Sequence, residues 1–348
     1  MTQIQIALEK PLPEMVLHLA EQDGAKLDAV FIGTSDGQRL LKKTQDICAA
    51  AYIQQDASAE YELQSALYQM LLMSTKVSGH QRGGAENSGA LYAVRTMLEN
   101  AFIASEDAKI EQATLDSLDP NPEGFAKWLV NMIESHPAHR HPVYEEALAH
   151  ASTVDDLKFF LAQEVTMDAN TDDFLALLQV GVPTSIKATI AANYWDEMGY
   201  GDPEKMHSRL FARAVQVLGA SVAEGAEIDI GALVCGNMQI LLSMKRRYFE
   251  KGTGFFLACE YMAPKRFKSL MSGWNRNGLP MDGAGYHEVH IPLDVEHADA
   301  WIREVIIPIV EAEPAAAQEV ARGLHYRLNT SQRYLDGMLG RLPCMRAA

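Results

Sequence analysis

Three residues in Tyr286-His-Glu-Val-His-Ile-Pro-Leu-Asp-Val-Glu-His-Ala298 have the chemistry of ligands: His290, Asp294 and His297 stand at i, i+4 and i+7. In a helix, at about 100° per residue, they point within roughly 60° of one another. Two imidazoles and a carboxylate make poor core material, because burying them unpaired costs several kcal/mol. They suit a borderline metal such as iron, manganese or zinc. The plainer alternative is an exposed polar face. Pro292 complicates the helix, since it lacks a donor and crowds the carbonyl four residues back. A helix starting near His287 would tolerate it more easily.

Further candidates lie upstream. Glu164 sits among Phe160, Leu161, Val165 and Met167, and Glu260 sits in Gly254-Phe-Phe-Leu-Ala-Cys-Glu-Tyr-Met262. Charged residues on such faces are seldom buried unless paired; taken singly, each could snorkel to the surface. Glu197 precedes, and His207 follows, the turn Gly199-Tyr-Gly-Asp202, so both can face one cavity. Glu204 is a rival, three residues before His207. Asp294-Val-Glu-His297 repeats that i, i+3 spacing, which echoes the Glu-x-x-His pairs of ferritin-like di-iron bundles. An oxygen-rich set with a few imidazoles favours iron or manganese over structural zinc.

The elements that must position these groups read as helices almost throughout, an all-α pattern. Residues 26–34 form the only tempting β run. Tyr61–Met73 and Ala90–Ala104 carry helical apolar spacing, and Asp119-Pro-Asn-Pro-Glu breaks the chain before a helix at Gly124–Glu134. Ser135-His-Pro-Ala-His-Arg-His-Pro142 holds three histidines, but its prolines mark it as a linker rather than a metal site. It is the expected domain boundary: 1–135 a helical accessory region that mediates dimerisation, 136–342 the chemical domain, and 343–348 a tail. Beyond it come helices at Val143–Ala151, Thr153–Val180 and Ser185–Met198. Asp202-Pro203 is expected to start the next one, as cap and first residue. The glycines of Ser78–Gly89 read as a flexible loop, without a preceding strand to make a phosphate loop.

Composition narrows the partners. The 348 residues, 48% hydrophobic and 22% charged, fit a folded chain of one large or two modest domains. A formal charge of −16 argues against nucleic acid and anionic membranes. No apolar run approaches a membrane span, and the N-terminus lacks a signal-peptide pattern, so a cytoplasmic location is expected. Four scattered cysteines (Cys48, Cys235, Cys259, Cys344) form neither a zinc knuckle nor a disulfide framework.

Glu164, the segment Glu197–His207, Glu260 and the segment Tyr286–His297, taken in order, resemble the haem-oxygenase-like diiron oxidases and oxygenases over about residues 136–340. That resemblance implies a haem-oxygenase-like helical bundle with two non-haem irons; haem itself is not implied. Its implied iron ligands are Glu164, Glu197, His207, Glu260, His290, Asp294 and His297. It implies O2 as co-substrate, a peroxo-bridged diferric intermediate, and an external electron donor. The extra carboxylate at Glu197 is most similar to the N-oxygenating members, which oxidise an amine or guanidine-type nitrogen of a small molecule. Relatives often carry an aromatic residue where this chain has His287. Two rival readings stand beside it: oxidative decarboxylation or C–C cleavage of an amino or fatty acid with the same cofactor, and a metal-free helical binding module. Arg209, Arg213, Arg246, Arg247 and Arg266 could hold a substrate carboxylate, although solvation at the surface is the default for each.

Overall fold

The computed structural model describes residues 3–76, 84–119, 121–168, 171–221, 227–342 and 344. Every regular element among them is helical. The chain divides into two compact units, Met1–Lys109 and Ile110–Ala348. Of the glycine-rich stretch 78–89, residues 78–83 lie outside the described residues, as does most of the tail 343–348.

The first unit contains α1 (Leu12–Ala20), α2 (Gly24–Phe31), α3 (Ser35–Tyr52), α4 (Ala57–Thr75) and α5 (Gly89–Asp107). Helices α2 to α5 start on Asp23, Thr34, Asp56 and Ser88 caps, which satisfy backbone donors that a helix start leaves open. The tempting β run is corrected here, because most of it lies in α2. Asp23 accepts a hydrogen bond from Lys26 N at 3.0 Å, and Leu27 and Phe31, one turn apart, are the buried apolar residues. Asp28 also has a use that a strand would not give it. It accepts hydrogen bonds from Ser88 Oγ at 2.7 Å and from the backbone of Gly89 and Ala90 at 3.0 and 3.1 Å, capping α5 from a distance.

The second unit contains α6 (Pro122–Ser135), α7 (Val154–Glu164), α8 (Thr171–Leu178), α9 (Thr184–Glu197), α10 (His207–Val217), α11 (Ile230–Met244), α12 (Phe249–Arg276), α13 (Gly285–Ala300) and α14 (Ala316–Leu339). Val143–Ala151 and Trp301–Ile306 are π-helical. The 28-residue α12, about 42 Å at 1.5 Å per residue, packs against α13, α14 and the π-helical Val143–Ala151. Two glycines let α12 and α14 touch: a Cβ at Gly254 would lie 1.9 Å from Val320 O, and one at Gly323 would lie 1.8 Å from Lys251 O.

Two local expectations change. Thr153–Val180 is two helices, since α7 ends at Glu164 and the chain turns before α8. Asp202 does not cap α10; it accepts a hydrogen bond from Glu204 N at 3.0 Å in a turn, and α10 begins at His207. Within 135–142, Pro137–Arg140 form a 3-10 turn inside the second unit. There His141 is buried with Nε2 3.1 Å from Asp336, and His136 accepts from Ala138 N. Pro292 is the eighth residue of α13, and the helix continues through it.

Candidate metal centre

α9 ends on Glu197, and α10 begins on His207. Between them Gly199, Tyr200 and Gly201 run through three successive positive φ values, +61°, +54° and +84°. Glycine is needed at 199, where a Cβ would lie 2.5 Å from the Lys205 carbonyl carbon. This left-handed turn folds the chain back, so that His207 Nδ1 comes 2.9 Å from Glu197 Oε2. His290 of α13 faces the same carboxylate, its Nε2 3.6 Å from Glu197 Oε1. Ligand atoms of Glu197, His207 and His290 all lie within 4.8 Å of one another.

Glu260 of α12 meets Asp294 and His297 of α13 in a second trio of the same tightness. His297 Nδ1 is 3.3 Å from Glu260 Oε2 and 3.7 Å from Asp294 Oδ1. The heptad-like stripe on α13 therefore serves two trios, His290 in one and Asp294 with His297 in the other. All six residues are buried.

The outer atoms of these side chains are held. His290 Nδ1 donates to Tyr286 O at 2.6 Å, and His297 Nε2 donates to Asp196 Oδ2 at 2.8 Å. Asn193 Nδ2 donates to Glu260 Oε1 at 3.2 Å. Such outer hydrogen bonds fix ring orientation and raise ligand basicity. The inner atoms are different. His207 Nδ1, Glu260 Oε2, Asp294 Oδ1 and His297 Nδ1 are buried and face only the other members of their own trios. Buried polar atoms are normally satisfied, and lone pairs converging at this distance fit a cation.

Protonation tells the same story. Burial raises the Glu197 carboxyl, but His207 and His290 bring it down to about 2. Burial opposes charge on His290, yet Asp294 and Glu197 push it up to about 10. Against the same burial, Asp294 and Glu260 push His297 up to about 11, while burial lifts Asp294 to about 7. Protons on His290 and His297 offset the carboxylates, as divalent cations would.

The other candidates sort by place. Glu164 is buried on the wall of the adjoining cavity, outside both trios, with Oε1 unpartnered. Glu204 is exposed and pairs with Arg209 at 2.8 Å, so the structure does not bring it to the centre. His287 is buried against Phe267, ring centroids 5.0 Å apart, and burial with the neighbouring His290 lowers it to about 3. None of His136, His139 and His141 joins a trio. Sequence reasoning missed Asp196 and Asn193, which precede Glu197 on α9, and Asp168, a turn after Glu164 on the cavity wall. It also missed Arg327 of α14. Only Asp168 left a signal, since the helix expected over Thr153–Val180 would put it on the face of Glu164.

Residues 158–332 match the family model of iron-containing redox enzymes with the haem-oxygenase fold. The match covers half of the chain, and the protein belongs to that family. It is an all-α, haem-oxygenase-like bundle preceded by extra N-terminal helices, with two buried trios consistent with a binuclear iron site. No curated protein matches the chain. Among the described residues no helix is long and apolar enough to cross a membrane.

Proposed function

We propose that the protein is an O2-dependent non-haem diiron oxygenase that oxidises an amine or guanidine-type nitrogen of a small metabolite to a hydroxylamine or nitro product. The observation that carries this reading is the buried Glu197 carboxylate, faced by His207 and His290 at once. Glu197, His207 and His290 would hold one iron, and Glu260, Asp294 and His297 the other, with Glu164 at the cavity wall as the remaining carboxylate. Iron held there would supply the electrons that reduce O2. The extra anion at Glu197 favours a higher charge on its cation, by simple Coulomb attraction in a buried site.

The chain's own contribution is placement. Asp196 and the Tyr286 carbonyl aim the two imidazoles, and Asn193 steadies Glu260. Phe256 and Phe267 wall the cavity, which holds about 60 Å³. That is the room of a few water molecules, so a small substrate group is accommodated. The test is to load the protein with ferrous iron, add reductant, O2 and amine-bearing acids, and identify products. Hydroxylamine or nitro products support the reading; alkene, aldehyde or chain-shortened products favour C–C cleavage, and absence of iron binding favours a metal-free role. Glu197→Ala should lose iron from one position and lose N-oxygenation, while Glu204→Ala should keep both. The reverse pattern overturns the reading.

A further inference from the structure

Two arginines lie on the cavity wall among acidic groups. Arg266 of α12 is only 7% exposed, and Arg327 of α14 lines the same cavity. Both guanidiniums lie over aromatic rings, Arg266 at 5.3 Å from the Tyr144 centroid and Arg327 at 5.4 Å from that of Phe255. Arg266 donates to Ala138 O at 2.9 Å, and Arg327 has only a 3.7 Å contact to the Met167 sulfur. The Nε atoms of both are buried without a hydrogen-bond partner. Among the described residues, neither guanidinium forms an ion pair with a carboxylate. Glu164 and Asp168 act on Arg327, and Glu164 on Arg266, through charge without a contact pair, and a planar fork stacked on a ring is preorganised to bind an anion bidentately.

We propose that Arg266 and Arg327 anchor the carboxylate of the substrate, which makes the substrate an amino or guanidino acid rather than a simple amine. This rests on the reading of the cavity as the substrate pocket of a diiron oxygenase. The anchor sets how far the oxidised nitrogen stands from the carboxyl end.

Butyrate and butyramide, alike in size and different in charge, are the probes. Their affinities are measured by calorimetry on the ferrous protein without O2, and iron per chain is counted in every sample. Wild type should bind butyrate at least about tenfold more tightly than butyramide, a difference of about 1.4 kcal/mol. Arg266→Gln and Arg327→Gln should each erase most of that preference with iron content unchanged, and Arg327→Lys should restore part of it. If a Gln variant fails to fold, the Lys variants and the wild-type comparison decide. Equal binding of the two probes by wild type overturns the proposal. So does undiminished butyrate binding by iron-loaded Gln variants, because the arginines would then only balance the acidic wall. A wild type that takes up no iron overturns the oxygenase reading instead, and the same titration on the metal-free chain still judges the anchor.

Discussion

At the scale of single residues, the centre separates groups that ligate from groups that only pack. His297 brings Nδ1 to the Glu260–Asp294 pair and has no nearby substitute. His297→Ala should therefore lose at least one iron per chain, whereas His287→Phe should retain two, since His287 makes ring contacts only. Iron per chain, counted after gel filtration, checks both. Asp196→Asn should fold normally but bind iron about 10–100-fold more weakly, the usual cost of removing the partner that orients a ligating histidine; competition with a calibrated chelator measures it. The six trio residues were visible in the sequence because Glu260 interrupts an apolar run, His290, Asp294 and His297 share a helical stripe, and Glu197 and His207 flank one glycine-rich turn. Asp196, Asn193 and Arg327 were not. Aspartate and asparagine near a helix end read as ordinary surface, and an arginine on a long helix reads as solvated until the fold turns it inward.

At the scale of elements, the decisive features are close approaches. α12 and α14 meet backbone to side-chainless backbone at Gly254 and Gly323. Gly254→Ala should push the two helices apart and cost about 1–3 kcal/mol, as overpacking does, seen as a lower melting temperature. The long helices were legible because their apolar spacing runs for several turns. Helix α2 was not, because eight residues are too few to separate a helical period from a strand's alternation, and its Asp28 partner lies some 60 residues on. The start of α10 was misread for a related reason. Asp202-Pro203 carries strong helix-start chemistry, but the three left-handed residues before it turn the chain, and the helix waits until His207.

At the scale of the whole molecule, buried bases shape the response to acid. Burial and the neighbouring His136 lower His325 on α14 from its ordinary 6.5 to about 4. Above pH 6.5 it is neutral folded or unfolded, and it costs nothing. As pH falls from 6.5 towards 4, the unfolded chain takes up the proton and the folded one does not, so stability drops by up to about 3 kcal/mol and then levels off. Urea midpoints across that window should fall more steeply with acid for wild type than for His325→Phe, so that the difference between them moves in the variant's favour as pH drops. A different consequence follows from α13, which sends His290 to one trio and Asp294 with His297 to the other. An ion seated in either trio immobilises this shared helix, so the second ion meets partners whose ordering entropy has already been lost. Such occupancy is cooperative by linkage. Native mass spectra of half-loaded protein should then show chains with no iron and chains with two, and few with one.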